Sequence, residues 1–251
     1  MKISIILNER EYAEAALDMC VLEQKPTDTL LRVAKYYADR GYKKSEVQSL
    51  LESFMLRCDP GINLVKWQDT IDSLTKSAMK SSLIEIDNVP ITKAELEICD
   101  KLTNKQTRRL MFTLICVAKY GNMANPLNKN WVNKPDKEIF NMANIVTTVK
   151  RQSLMLNDLR ELGLIRFSRK VDNININVTC LSDGGEPELE ITDFRNLGYQ
   201  YLRYHGEPCI ECAECGIVVK KTVNNQKYCS ACGVDLNRKK AASCRHPYLP
   251  C

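Results

Sequence analysis

The 251-residue chain carries 36 basic and 31 acidic side chains, for a formal net charge of +5, and it contains 12 cysteines. No run of 18 uncharged apolar residues is present, which excludes a predicted transmembrane helix, and the N-terminus lacks the long apolar core of a secretory signal. We therefore expect a cytoplasmic protein, whose reduced cysteines are more typical of metal sites than of disulfides.

Residues 1–100 predict a helical domain with a net charge of −4. Apolar residues recur at helical spacing, and Gly41 and Pro60-Gly61 mark breaks between helices. Residues 28–80 resemble the small helical domain that lies C-terminal to primase cores in phage and plasmid replication proteins. In that domain, too, a Glu-rich helix is followed by a turn, here Cys58-Asp59-Pro60, and by a last helix. The primase core itself, with its acidic metal ligands, has no counterpart in this sequence.

Residues 101–192 predict a second domain, which concentrates the positive charge of the chain. Residues 101–180 carry 14 basic and five acidic side chains, a net charge of +9. Positive charge gathered in one window of an otherwise acidic chain is typical of a surface that binds a polyanion.

The pattern of this second domain predicts three helices followed by a β-hairpin. The first helix is expected to stop at Gly121-Asn122 and the third at Gly163. The apolar residues at helical spacing in the third helix are Val149, Leu154, Leu156, Leu159 and Leu162. The predicted helices cover residues 103–122, 135–145 and 147–163, and the hairpin turns at Asp172-Asn173.

This succession resembles the winged helix-turn-helix fold, and residues 156–173 are similar to the junction of recognition helix and wing in that family. The resemblance implies that the third helix enters the major groove of DNA with its N-terminal residues leading. The implied contacts are Thr147, Thr148, Lys150, Arg151 and Ser153 on the helix and Arg166, Arg169 and Lys170 on the wing. We expect Arg108 and Arg109 to lie on the same face. Winged helices also serve as dimerisation or protein-docking modules, and that alternative stays open.

Asn173, Asn175 and Asn177 alternate with apolar residues in the second strand of the hairpin. This alternation favours a two-faced strand with its apolar side turned inward. A polar strand face that touches a ligand or nucleic acid is the alternative.

Residues 209–251 predict a small zinc ribbon and a tail, which a connector helix over residues 193–208 joins to the second domain. Two Cys-x-x-Cys-Gly units, with 13 residues between Cys215 and Cys229, supply Cys212, Cys215, Cys229 and Cys232. Four thiolates satisfy tetrahedral zinc and leave no open position, so we expect a structural Zn²⁺. Cys209 is an alternative ligand. The stretch between the two units predicts a short hairpin.

Further cationic and thiol groups surround this predicted zinc site. Lys220, Lys221 and Lys227 are available to phosphates. Cys209 could form a second metal site with tail residues, although a loose tail with spare thiols is the favoured interpretation. Those tail residues are Cys244, His246 and Cys251.

Taken together, these features indicate a mainly α (α+β) protein that binds nucleic acid, chiefly duplex DNA. The chain resembles the accessory proteins of Gram-positive prophages and mobile elements, which implies a role in transcription control or replication initiation in a bacterial host. The alternative is an adaptor or inhibitor that grips a protein through its zinc module or helical domain. No hydrolase or nucleotide-binding motif is present, and the acidic side chains have the spacing of a solvated face. We therefore expect no enzyme, with a metal nuclease as the alternative.

Overall fold

The computed structural model describes residues 5–23, 25–168, 175–182 and 184–243. The fold is mainly α (α+β), as predicted. The chain divides into two compact units, Met1–Asn88 and Val89–Cys251. We expected the first boundary at residue 100, whereas the strand and helix over residues 89–100 belong to the second unit.

The first unit packs helices around one apolar core. The predicted breaks at Gly41 and Pro60-Gly61 separate these helices, and Gly41 has a φ of +86°, which favours glycine. The helices are α1 Glu9–Met19, α2 Pro26–Asp39, α3 Lys44–Cys58, a 3-10 helix Leu64–Trp67 and α4 Gln68–Ala78. Buried residues of the core include Leu30, Val33, Leu51, Phe54 and Met55.

A buried carboxylate ties α1 to α2 in this unit. Glu9 accepts a hydrogen bond from Lys35 Nζ at 2.9 Å and one from the backbone N–H of Ile84 at 3.1 Å. Arg32 Nε lies 3.5 Å from the other carboxylate oxygen. The prediction of a solvated acidic face is therefore wrong for Glu9, because a hydrophilic residue at a helix start can turn inward when cations of the next helix neutralise it.

The second unit contains all the strands of the described residues. Its first part comprises β1 Val89–Thr92, α5 Lys93–Asp100, α6 Lys105–Ala124, a 3-10 helix Pro126–Asn128, β2 Trp131–Val132, α7 Asp136–Met142, α8 Val149–Glu161, β3 Ile165–Phe167 and β4 Ile176–Val178. Its second part comprises β5 Pro187–Ile191, α9 Leu197–Tyr204, β6 Cys209–Glu211, β7 Val218–Lys220 and α10 Ser230–Ser243.

Three small antiparallel sheets organise these elements. β1 pairs with β5, β6 pairs with β7, and the third sheet has the order β2-β4-β3. The two-residue strand β2 was not predicted, and it makes β4 the central strand of its sheet. Helix α6 lies at the centre of the unit. Thr107 and every residue from Leu110 to Ala118 are buried.

Gly121 does not stop α6 as predicted, because the helix continues to Ala124. A Cβ at this position would lie 2.6 Å from Nδ2 of Asn128 in the turn that follows. The glycine therefore allows close packing between α6 and this turn, and it does not act as a helix terminator.

Helix α8 ends where predicted but buries a different face. Gly163 has a φ of +71° just beyond its end, which confirms the left-handed stop. Leu156 and Leu159 are buried as expected, together with Met155. Val149, Leu154 and Leu162 are exposed, so the predicted apolar face is wrong for these three residues.

Candidate metal centre and nucleic-acid interface

Four sulfur atoms of the second unit converge as a ligand set. The Sγ atoms of Cys212, Cys215, Cys229 and Cys232 all lie within 4.8 Å of one another. The Sγ atoms of Cys215 and Cys229 are 3.9 Å apart. Tetrahedral zinc with Zn–S bonds of about 2.3 Å places its sulfurs about 3.8 Å apart, so the cluster has the dimensions of a four-thiolate metal site and fits a zinc ribbon.

A hairpin turn and a helix start present these two cysteine pairs. Cys212 and Cys215 occupy the turn between β6 and β7, where Gly216 has a φ of +72° and donates its N–H to the carbonyl of Cys212 at 2.9 Å. Cys229 immediately precedes α10, and Cys232 lies in its first turn. The glycine of the first Cys-x-x-Cys-Gly unit thus takes a left-handed conformation that closes the turn.

The predicted hairpin between the two cysteine pairs is absent from the described residues. Strand β7 instead pairs antiparallel with β6, the strand that precedes Cys212 and Cys215 in the chain. Residues 221–228 contain no strand. The apolar run at Ile217, Val218 and Val219 marked one strand correctly. Its partner was missed because Cys209–Glu211 has no β-branched pattern beyond Ile210.

Backbone N–H groups stabilise the thiolate of Cys212, whereas burial raises the pKa of Cys215 and the neighbouring Cys215 sulfur raises that of Cys232. The N–H of Cys229 points at Sγ of Cys212 at 3.2 Å, and the N–H of Cys232 points at Sγ of Cys229 at 3.5 Å. Burial opposes ionisation of Cys212, but the N–H donors, that of Cys229 first, outweigh it and lower the pKa of this thiol to about 6. A lowered thiol pKa favours metal ligation at neutral pH.

Cys209 is not a member of this group. It lies in β6 opposite Lys220, and among the described residues the cluster of sulfur atoms within ligand distance contains only the other four cysteines. Burial raises the pKa of the Cys209 thiol, and the nearby Glu207 carboxylate adds to this effect. Cys244, His246 and Cys251, the other residues of the predicted second metal site, lie outside the described residues.

Helix α9 and the two residues before it attach the cysteine hairpin to the rest of the second unit. Arg195 donates to the carbonyl of Cys215 at 2.7 Å, and the Asn196 side chain donates to the carbonyl of Val218 at 2.9 Å. On its other side, α9 packs on α6, with the rings of Phe112 and Tyr201 5.2 Å apart. The residues predicted to form a connector helix therefore contact both neighbours.

The start of α8 presents unpaired cations to solvent. Lys150 and Arg151 are exposed, and neither forms an ion pair with any described residue. The Thr148 side chain caps the helix by accepting the N–H of Arg151 at 3.3 Å, and the Ser153 hydroxyl donates to the carbonyl of Val149 at 3.2 Å. Thr147, immediately before the cap, is partly exposed.

The remaining predicted cations of the second domain divide between surface and interior. Arg166 is exposed on β3, and Arg169 and Lys170 lie outside the described residues. Arg109 donates to the carbonyl of Asn144 at 3.1 Å, and burial lowers the pKa of its guanidinium. Arg108 donates to the carbonyl of Leu102. Arg108 and Arg109 are only partly exposed and each donates to a backbone carbonyl, so they do not join the fully exposed cations as we expected.

The cations near the cysteine cluster remain at the surface. Lys220 and Lys227 are exposed, Lys221 is partly exposed, and none of the three forms an ion pair with a described residue. They flank a closed ligand set, so the metal itself would offer no position to a substrate.

The outer face of the β2-β4-β3 sheet holds polar residues that the sequence reasoning did not combine into a site. We call it the sheet recess: an open cavity of about 610 Å³ lined by Lys129, Trp131, Arg160, Arg166, Asn177 and Thr179 among others. The signal that could have found it is the density of asparagines between residues 122 and 133, which form side-chain hydrogen bonds with one another.

Comparison of the chain with protein-family models, with curated proteins and with solved structures found no match. In the part of the chain that the structure describes, no helix combines the length and the apolar character needed to cross a bilayer.

Proposed function

We propose that this protein binds duplex DNA through the start of α8 and that the cysteine cluster holds a structural Zn²⁺. The observation that carries the proposal is the exposure of Lys150 and Arg151, without ion-pair partners in the described chain, in the first turn of a 13-residue helix. Unpaired cations at a helix N-terminus, where the backbone N–H groups also favour anions, suit contact with phosphates or guanine edges.

The order of elements around α8 supports the winged-helix interpretation. Helix α6, strand β2, helices α7 and α8, and strands β3 and β4 follow one another along the chain, and the strands form one antiparallel sheet. This order of elements agrees with the helical body and following hairpin that the resemblance implies. In such a fold the third helix carries the base contacts and the hairpin reaches the flanking backbone.

Zinc is the metal that the cysteine cluster suits best. Four soft thiolate ligands in a tetrahedral arrangement favour Zn²⁺ over the hard cations that prefer oxygen. When bound, the ion would hold the β6-β7 hairpin and the start of α10 together. With all four positions taken by sulfur, we propose a structural role and no catalysis for this site.

The test is duplex affinity after charge reversal. Lys150→Glu/Arg151→Glu should weaken binding of a fluorescent 20-base-pair duplex by more than about tenfold at moderate salt, because two phosphate neutralisations become repulsions. The matched control is Lys93→Glu/Lys101→Glu, two exposed lysines of the same unit with the same change in net charge. Equal affinities for the two double variants would contradict the proposal.

Exposed apolar residues beside these cations favour a second candidate, a protein adaptor. The side chain of Val146 is 98% exposed and that of Val149 is 76% exposed. In a DNA complex they could contact thymine methyl groups, and in an adaptor they would be covered by a protein partner. If no DNA or RNA probe binds and one protein co-purifies stoichiometrically, a partner lost on Val146→Ser/Val149→Ser would establish the adaptor function.

The cellular role stays a prediction from the sequence resemblance. It places the protein with accessory factors of phages and mobile elements, in transcription control or replication initiation in the bacterial cytoplasm. A catalytic alternative is tested in the same duplex assay, since a metal nuclease would cut the probe when Mg²⁺ or Mn²⁺ is added.

A further inference from the structure

We propose that the sheet recess is a second nucleic-acid site, one that binds a single strand by stacking a base on Trp131 and holding its phosphates with Lys129 and Arg166. This site lies on the outer face of the β2-β4-β3 sheet. It is independent of the proposed duplex contact at the start of α8.

The strand register places Trp131 and Arg166 on the same sheet face. Asn177 of the central strand β4 pairs with Trp131 of β2 on one side and with Arg166 of β3 on the other. The neighbouring residues in register, Ile176 and Val178, are buried in the core. Because successive side chains of a strand point to opposite faces, the row of Trp131, Asn177 and Arg166 faces outward.

Asn177 holds the two cationic residues at the recess. Its side-chain oxygen accepts a hydrogen bond from Arg166 Nη2 at 3.0 Å, and its side-chain nitrogen donates to the carbonyl of Lys129 at 2.7 Å. These contacts leave Asn177 only 6% exposed although it lies on the outer face. A satisfied, buried amide that fixes an arginine and a lysine-bearing loop is a preorganised arrangement for an anion.

The lining of the recess has an excess of positive charge. Lys129, Arg160 and Arg166 line it, and no acidic residue does. Arg160 is partly neutralised by Glu161, at 2.6 Å between Nη2 and Oε1, whereas Lys129 and Arg166 have no carboxylate partner in the described part of the chain. Unneutralised cations beside a polar cavity attract phosphate.

Trp131 is a partly exposed aromatic residue in the middle of this polar region. Besides the sheet recess, it lines an adjoining cavity of about 390 Å³ with Leu127, Asn133, Ser168 and Asn175. Two open cavities that share one aromatic side chain suit a chain of nucleotides that passes over it. A flexible strand with accessible bases can stack in this way, whereas bases inside a duplex cannot.

The recess and the proposed duplex contact lie at opposite ends of α8. Lys150 is in the first turn, and Arg160, which lines the recess, is in the last. Ten residues of helix separate them by about 15 Å. Variants at one end can therefore be measured without altering the other.

The test uses the two tryptophans of the chain. In the full-length Trp67→Phe protein, Trp131 is the only tryptophan, and titration with a 12-nucleotide oligothymidylate should quench its fluorescence in a saturable way. Adding Lys129→Gln/Arg166→Gln should weaken this binding by about tenfold or more. The matched control Lys93→Gln/Lys137→Gln, which also removes two exposed positive charges of the second unit, should leave it unchanged. Lys150→Glu/Arg151→Glu should also leave it unchanged.

Four outcomes would overturn the proposal. They are no quenching by the oligonucleotide, equal weakening by the recess and control pairs, equal weakening by Lys150→Glu/Arg151→Glu, and equal affinity for thymidine monophosphate, which would assign a mononucleotide site. Circular dichroism of each variant shows whether it is folded. Trp131→Leu provides an independent check by fluorescence anisotropy of a labelled oligonucleotide, since it removes the stacking ring and keeps the cations, with an expected loss of about five- to one-hundred-fold.

Discussion

At the scale of single residues, the second unit depends on one buried ion pair. Glu95 is 0% exposed, and its carboxylate accepts hydrogen bonds from Lys119 Nζ at 2.8 and 3.1 Å and from the backbone N–H of Thr92 at 2.8 Å. The Ser182 N–H adds a longer contact at 3.4 Å. These bonds join α5, the central helix α6 and the segment after β4. The carboxylate of Glu95 is buried and accepts all of these bonds from within the unit, so we assign Glu95 a structural role.

Removal of the cation from this pair should be costly. Lys119→Met leaves a buried carboxylate without its counterion, and we expect the free energy of unfolding to fall by about 3 kcal/mol. Lys105→Met is the matched control, because its partner Glu207 is 31% exposed and solvent can replace the lysine, at a cost below about 1 kcal/mol. Urea unfolding followed by Trp131 fluorescence in a Trp67→Phe background measures both. Similar losses in the two variants would contradict the structural role of the pair.

Residue-level burial is also where sequence reasoning was least reliable. The acidic side chains of the first hundred residues have the spacing of a solvated face, and yet Glu9 and Glu95 are buried. Arg109 is a second example, because its positive charge predicts a place on the binding surface, whereas it is half-buried and donates to the carbonyl of Asn144. Helical spacing records amphipathic periodicity, but it carries no information about which distant cation or carbonyl will meet a given side chain.

At the scale of elements, the hairpin and the helix start at the cysteine cluster have only a small apolar core of their own. The buried core of this region consists of Cys212, Ile217 and Cys229, with Cys215, Val219 and Cys232 packed against it. Strands β6 and β7 have three residues each, and two-stranded hairpins of this size are marginal in water. We therefore expect a bound metal to contribute much of the stability of this region.

Measurement of the metal content distinguishes Cys212, a proposed zinc ligand, from Cys209, which lies outside the cluster. We expect about one Zn²⁺ per chain in the wild type and in Cys209→Ser, whereas Cys212→Ser should lose most of it because three sulfurs cannot close the tetrahedron. Elemental analysis of the purified full chain gives the stoichiometry. Loss of zinc from Cys209→Ser together with its retention in Cys212→Ser would exchange the roles of the two residues.

The sequence predicted long elements better than short ones. Helices α6 and α8 follow from apolar periodicity, and the end of α8 at Gly163 follows from its left-handed conformation. Strand β2, with two residues, and strand β6, with three, have too few residues to show an alternation. The four zinc-type ligands were found because their spacing is a local property. The sheet recess was missed because it requires β2 and the pairing of distant strands.

At the scale of the whole molecule, the net charge of residues 101–180 overstates the number of cations available to bind a polyanion. Residues 101–180 have a net charge of +9, but three of these cations have partners within the second unit. Arg108 and Arg109 donate to backbone carbonyls, and Lys119 forms an ion pair with Glu95. The cations that form no ion pair in the described chain include Lys150 and Arg151 at the start of α8 and Lys129 and Arg166 at the sheet recess. The two proposed sites, one for duplex DNA and one for a single strand, would let the second unit contact double-stranded and single-stranded segments of the same nucleic acid.

The most direct test of the central proposal, that Lys150 and Arg151 contact duplex phosphates, is the salt dependence of duplex binding. Each neutralised phosphate contributes about −0.9 to the slope of log K against log salt concentration. For Lys150→Gln/Arg151→Gln we predict a slope that is shallower than that of the wild type by about 2, and for the control Lys93→Gln/Lys101→Gln an unchanged slope. A slope for Lys150→Gln/Arg151→Gln equal to that of the wild type would contradict the account.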